Sequence, residues 1–342
     1  MSSIIKTFWV SALVTLITVA LVAMNIGLPS LLPLLILIVI EVTFSFDNAV
    51  INAKILKKLS PLWQQLFLTV GIVFAIFGMR LVFPVLIVSI TSGLGWQKVI
   101  DLALNHPHQY SAYLDHAGPS ITAFGGAFLL MLSLQFFMEQ EKEHHWFRRF
   151  EVGLQKFGAF WWVPSLITTG VVAILAFIPA NHHDGETLRS GLIGVGSYLF
   201  IRGMTVLIGR TTAPKSGIKH YTGWLAFTMF MYLQLLDASL SLDGVLGAFA
   251  ITGDVILIVA GLGVGAFWVR SLTVFMVRRG TLEAYKLLEH GAHYAIAVLA
   301  VSMLLAVVYE VPEAVTGLFG VGLIAGSVVA SIQYERQLDQ AR

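Results

Sequence analysis

Residues 41–50 read EVTFSFDNAV, and residues 236–246 read LDASLSLDGVL. The first lies in an apolar run that begins LLPLLILIVI, the second in one that begins GWLAFTMFMYLQL. Each run otherwise suits hydrocarbon, yet each holds two carboxylates: Glu41 and Asp47, then Asp237 and Asp243. What those acids face decides both the fold and the chemistry.

The chain around them leaves little choice of solvent. Of 342 residues, 57% are hydrophobic and 12% charged, and mean hydropathy is +0.83. A soluble chain carries about a quarter charged residues, so this one lacks the polar surface to dissolve. The net charge of +2 says little about partners, because the charges fall in short stretches between apolar segments. The lipid bilayer is the expected partner, and nucleic acid is not. With no cysteine there is no disulfide framework and no thiolate metal site.

Ten apolar stretches approach the length of about 20 residues that crosses a bilayer. They cover approximately 8–28, 31–53, 65–90, 119–138, 159–178, 190–208, 223–250, 254–277, 291–309 and 313–332. The first is longer than a signal-peptide core and reads as a retained span. With both termini on one side, sixteen of the 21 lysines and arginines fall on that side. The other side receives only Lys98 and Arg189, and Arg80, Arg202 and Arg270 lie within spans. Basic loops stay cytoplasmic, so both termini are expected there.

The two halves repeat. Glu41, Thr43, Ser45 and Asp47 match Asp237, Ser239, Ser241 and Asp243 at identical spacing. GIVFAIFGMR ending at Arg80 matches GLGVGAFWVR ending at Arg270; LDHAG at 114–118 matches LEHGA at 288–292; VPSLIT at 163–168 matches VPEAVT at 311–316. Matching spans lie five apart, and an odd offset inverts their direction. The expected fold is therefore an all-α membrane protein of about ten helices, an inverted-topology repeat in one integrated domain. Residues 1–180 form spans one to five and 181–342 spans six to ten. Secondary transporters of this kind place their substrate site near the midplane, between the repeats.

A carboxylate at helix centre costs roughly 2.5–3.5 kcal/mol on insertion scales, so the four acids are expected to face one another, a cavity or a cation. Glu41, Ser45 and Asn48 share one helix face, as do Asp237, Ser241 and Gly244; Thr43 with Asp47, and Ser239 with Asp243, share another. All four carboxylates converge only if the helices bend, near Asn48 and Gly244. Regular helices would instead leave Asp47 and Asp243 as gates on either side of a Glu41–Asp237 pair. Carboxylate, hydroxyl and amide oxygens without sulfur or histidine suit Mn²⁺, Mg²⁺ or Ca²⁺, and Zn²⁺ or Fe²⁺ where abundant. The candidate ligands are Glu41, Ser45, Asp47, Asn48, Asp237, Ser241 and Asp243. Arg80 and Arg270 are expected to orient the acids or compensate their charge. The alternative is a purely structural brace in which the acids pair with Arg80, Arg202 and Arg270. Arg202 has no counterpart in span one, and its role stays open.

The remaining polar residues read more plainly. His106, His108, His116, His182 and His183 fall on the outer side, where they titrate as loop residues or attract metal. His290 and His293 read as interfacial, EQEKEHHWFRR at 139–149 as a solvated cytoplasmic loop, and 96–118 as a long loop. Glu310 and Glu313 flank Pro312 as a weak exit site or a helix start. Trp161 and Trp162 read as interfacial belt.

EVTFSFDNAV followed by GIVFAIFGMR, SLDGVLGAFAIT followed by an Arg-bearing helix, and LEHGAHYA together resemble the TerC family of integral membrane proteins. The closer likeness is to its branch catalogued as a domain of unknown function, within a superfamily of cation and amino-acid exporters. The likeness spans roughly 31–310 and implies export of divalent metal, chiefly Mn²⁺, across the bacterial cytoplasmic membrane; the family name records a link to tellurium resistance. It implies metal handling by Glu41, Asp47, Asn48, Asp237 and Asp243. Ser-Phe-Asp-Asn here replaces the Ser-Ala-Asp-Asn of many relatives.

The expected function is thus a proton-coupled secondary transporter that moves a divalent cation outward by alternating access, with the metal as substrate and no cofactor. No Walker-type G-x-x-x-x-G-K-[ST] motif offers direct ATP drive, and neither His-Glu-x-x-His nor Gly-x-Ser-x-Gly suggests an enzyme. The rival class is a structural or partner-binding membrane subunit with salt-bridged acids. Oligomeric state is not legible in the sequence.

Overall fold

Long apolar segments hide their backbone polar groups from lipid by hydrogen bonding within themselves, and this chain accordingly folds as helix after helix. The computed structural model describes residues 3–140, 142, 144–211, 220–252, 254–309 and 311–340. Glu310 and the side chains of Ser239, Ser241, Asp243 and Glu313 lie outside the described residues. The first half contains α1 (Ser3–Asn25), α2 (Leu31–Phe44), α3 (Phe46–Leu56), α4 (Pro61–Leu68) and α5 (Val70–Val73). A π-helical stretch, Phe74–Val82, leads into α6 (Phe83–Ser92), α7 (Trp96–Asn105), α8 (Pro107–Phe137), α9 (Arg148–Gln155) and α10 (Val163–Phe177). The second half contains α11 (Asp184–Thr211), α12 (Gly223–Ile251), α13 (Val255–Arg279), α14 (Thr281–Ala284), α15 (Leu288–Ala306) and α16 (Glu313–Gln340). Among the described residues there is no strand, only a bridge between Leu59 and Tyr221.

Every apolar stretch read from the sequence lies on helix, but the count of ten spans is not reproduced. Among the described residues, six helices are long and apolar enough to cross a membrane, or seven if the bent pair α2–α3 is one span. The stretch at 159–178 shrinks to the 15 residues of α10. The segment at 96–118, expected as a loop, is α7 and the start of α8.

Burial sorts the helices into interior and rim. In α8, 78% of the apolar window is buried, against 11% in α1 and 22% in α16. α8 runs through the centre, where Ala127, Phe128, Leu129 and Met131 pack with Ala49 and Val50 of α3 and with Ala292 and Ile296 of α15. α1 lies on the outside of α13, tied by Ser11 Oγ to Phe267 O at 3.0 Å and by Trp268 Nε1 to Thr15 Oγ1 at 2.9 Å. Hydroxyl contacts of this sort join helices where no hydrophobic force drives them together.

One contact positions the acids directly. Leu37 and Glu41, one turn apart on α2, lie against Gly261 and Gly265, one turn apart on α13. A Cβ at Gly265 would stand 2.4 Å from Glu41 Cγ and 2.5 Å from its Cβ. Those atoms are near the backbone, so the helices themselves would have to part. Gly265→Ala is therefore expected to cost about 1–3 kcal/mol, the usual range for overpacking, read as a lower melting temperature in detergent. Unchanged melting would contradict the close approach of α2 and α13.

Candidate metal centre at the broken helix

By sequence the acids converge only if their helices bend near Asn48 and Gly244; the structure puts a break at Ser45 and none at Gly244. α2 ends at Phe44 and α3 begins at Phe46, the pair bending by 49°. Ser45 takes φ −96°, ψ 20°, in the sparsely allowed bridge region. Short hydroxyl side chains compete with the helix by bonding locally; here Ser45 Oγ reaches Glu41 Oε1 at 3.2 Å. In an unbroken helix Asn48 N–H would point to Phe44 O; here it donates to Asp47 Oδ1 at 2.9 Å. α12, by contrast, runs through Gly244 without interruption.

The break opens a cavity of about 60 Å³, lined by Glu41, Thr43, Ser45 and Asp47 together with Gly244 and Thr316. That is several times the roughly 10–15 Å³ one water requires. α15 and α16 close it with Ala295, Leu299, Gly317 and Gly320. Gly244 brings the α12 backbone close to the acid: a Cβ there would lie 3.7 Å from Glu41 Oε2. Glu41 is 6% exposed and Asp47 6%. Glu41 and Asp47 thus both border the cavity at the break, one from the end of α2 and one from the start of α3.

Asp237 does not line this cavity. Its Oδ1 accepts from Asn48 Nδ2 at 2.7 Å, and Asn52 Nδ2 donates to Asn48 Oδ1 at 2.9 Å. Asn52, a turn beyond Asn48, escaped the sequence reading, although the i, i+4 spacing marks it. The gating alternative, a Glu41–Asp237 pair flanked by Asp47 and Asp243, needs the Asp243 side chain, which lies outside the described residues. Ser241 and Asp243 have side chains outside the described residues.

Both arginines meet the acids of their own half. Arg80 Nη2 donates to Glu41 Oε1, and Arg80 Nη1 to Ala75 O at 3.0 Å. Arg270 Nη2 donates to Asp237 Oδ2 at 3.2 Å and Nη1 to Phe67 O at 2.7 Å, with the guanidinium 4.2 Å over the Phe67 ring. Neither pairing crosses between halves. Arg202 pairs with no acid among the described residues; it donates to Gln135 Oε1. No described cation lies at ion-pair distance from Asp47. Among the described residues no three His, Asp or Glu side chains stand together as a metal cluster. A cation in the cavity would therefore draw on two carboxylates and on neutral oxygens.

The histidines divide differently from expectation. His116 and His183 place their rings 5.8 Å apart, and His183 Nδ1 lies 3.8 Å from Glu186 Oε2. His290 and His293, read as interfacial, are buried at 5% and 4% exposure. Nor is 139–149 simply a solvated loop: Lys142 Nζ sits 3.5 Å over the Phe136 ring, and the Trp146 ring packs against Gly326 of α16. These polar residues pack against rings and helices, so their polarity misreports their exposure.

The family model described as "Protein of unknown function (DUF475)" matches residues 46–338. No curated protein and no solved structure matches the chain.

Proposed function

Because the chain belongs to this DUF475 family, whose description assigns no activity, we propose its function from the site itself: export of a divalent metal cation across the bacterial cytoplasmic membrane. The observation that carries the proposal is that Glu41 and Asp47, with Thr43 and Ser45, line one cavity at a broken membrane helix. Broken helices at bilayer depth are tolerated only where they line a cavity or are covered by protein, and they recur at transporter ion sites. Two carboxylates with Thr43 and Ser45 make an all-oxygen donor set that suits a hard divalent ion. The resemblance to the TerC family favours Mn²⁺ among Mn²⁺, Mg²⁺, Ca²⁺ and Zn²⁺.

In this reading the arginines neutralise the empty site. Arg80 holds one oxygen of Glu41 and keeps Ala75 O as a second partner. A divalent ion entering between Glu41 and Asp47 would compete with that guanidinium for the carboxylate. Asp237, with Asn48 and Asn52, would form a further polar station along α3. Protons exchanging with metal at the carboxylates would supply the coupling, and the matched Glu41–Arg80 and Asp237–Arg270 pairs fit an inverted repeat.

The same two ion pairs favour a second reading, a structural or partner-binding subunit whose buried acids brace the bundle. Flux separates the two. Proteoliposomes holding the full chain are expected to move Mn²⁺ faster under an imposed pH gradient, in preference to Ca²⁺, Mg²⁺ and Zn²⁺. Absence of flux for all four ions, from correctly folded protein, would leave the brace.

A further inference from the structure

Away from the cavity, the segment that joins α8 to α10 holds a buried carboxylate that the proposed function does not use. Glu151 of α9 is 0% exposed. Its Oε1 accepts from the backbone N–H groups of Trp146 and Phe147, both at 3.2 Å, and from Tyr294 Oη at 3.0 Å. Its Oε2 lies 3.3 Å from His290 Nε2. His290 and Tyr294 are one turn apart on α15, so one helix face offers both to a single carboxylate. Aromatic rings pack around the contact: Phe137 stands 4.5 Å and Phe147 5.1 Å from the Tyr294 ring.

A carboxylate withdrawn so fully from water depends on its counter-charge, because an unpaired buried charge is costly. We infer that Glu151 and His290 form a proton-binding site, in which a proton on the imidazole pins α9 and its preceding turn onto α15. When His290 loses that proton, Glu151 keeps two N–H groups and a hydroxyl but no cation in direct contact, and the 144–155 segment loosens. The inference does not rest on the exporter reading, since it concerns a contact that forms whether or not metal is carried.

Other charges face the pair and must be separated from it. α15 contributes Glu289, which pairs with Lys54 of α3, and His293, which stacks on Phe136 at 3.6 Å. Beyond α8 stand Glu139 and Lys142, both within electrostatic reach. On the segment itself His145 meets Gln155 at 3.1 Å and the His144 ring meets Tyr334 of α16 at 5.6 Å. Burial works to raise the Glu151 carboxyl, but its contacts with His290, Tyr294 and the Phe147 N–H hold it below the ordinary glutamate value. Those contacts therefore favour its charged form. Burial pushes the Lys142 ammonium down to about 8, against the pull of Glu151, Glu139 and Glu289. Lys142 is thus the group that could imitate His290 in a pH titration.

Hydrogen–deuterium exchange of the full chain in lipid nanodiscs, corrected for intrinsic rates, tests this. As pH rises through about 5.5 to 8.5, protection of the Trp146 and Phe147 amides is expected to fall about tenfold, in line with losing a charge-assisted contact. Lys142→Met is expected to retain that fall. His290→Gln and Glu151→Gln are each expected to abolish it, the latter keeping an acceptor for Tyr294 and the two amides so that the fold survives. A pH-independent wild type, or a full pH response in Glu151→Gln, would overturn the site.

Discussion

Cells expressing the Asp47→Asn variant are expected to accumulate manganese and lose tolerance to it, with export reduced roughly tenfold to hundredfold at equal protein level. The magnitude follows from removing one charged ligand, whose contacts are each worth about 1.5–3 kcal/mol. Asp47 is the sharpest probe because no described cation pairs with it, so its charge has no structural partner to lose. It occupies the first turn of α3, where the helix dipole favours an anion. Its Oδ1 already accepts the Asn48 N–H, a bond that the amide oxygen of asparagine can keep. The substitution therefore removes charge while leaving shape and hydrogen bonding in place. Normal export by Asp47→Asn would remove the cavity from the transport path.

The second large effect concerns stability. Arg80→Ala is expected to cost about 3–5 kcal/mol, because it leaves Glu41 charged and unpaired in the interior. The measurement is reversible unfolding in mixed micelles, compared with the double variant Glu41→Gln, Arg80→Met. The double variant is expected to regain most of the loss, since replacing both partners of a buried pair is often near neutral. Where the wild type transports, the flux of the double variant then assigns the role of Glu41. A stable but silent double variant makes Glu41 a metal ligand; a stable and active one makes it a brace. If Arg80→Ala alone unfolds as the wild type does, Glu41 was never dependent on its guanidinium.

Much of this arrangement is legible in the sequence, and for physical reasons. Hydrocarbon allows few backbone solutions, so composition and run length fix the helices. Acids that cannot face lipid must find partners, so the spacing of Glu41 to Arg80 and of Asp237 to Arg270 already pointed to pairs. The location of the bend was not legible. Ser45 carries only the weak mark of a hydroxyl side chain, shared with Thr43, and Gly244, a stronger mark, sits in an uninterrupted helix; tertiary packing decides between them. The burial of Glu151 was hidden for a different reason. Its partners His290 and Tyr294 are distant in sequence, and a buried polar cluster has the same composition as a solvated loop. An apolar run shows that a segment avoids water, and does not show that it crosses a bilayer, so the ten runs and the six or seven candidate spans among the described residues count different things.

The angle at Ser45 has a mechanical consequence. α3 is an 11-residue rod, about 16 Å long at 1.5 Å per residue, with Asp47 at its pivot and Lys54 toward its tip. A swing of about 10° at the pivot carries a tip at that length through about 3 Å, enough to pull a salt link such as Lys54–Glu289 out of register. A lever so placed converts a small change in crowding around one carboxylate into a displacement at the opposite end of the rod.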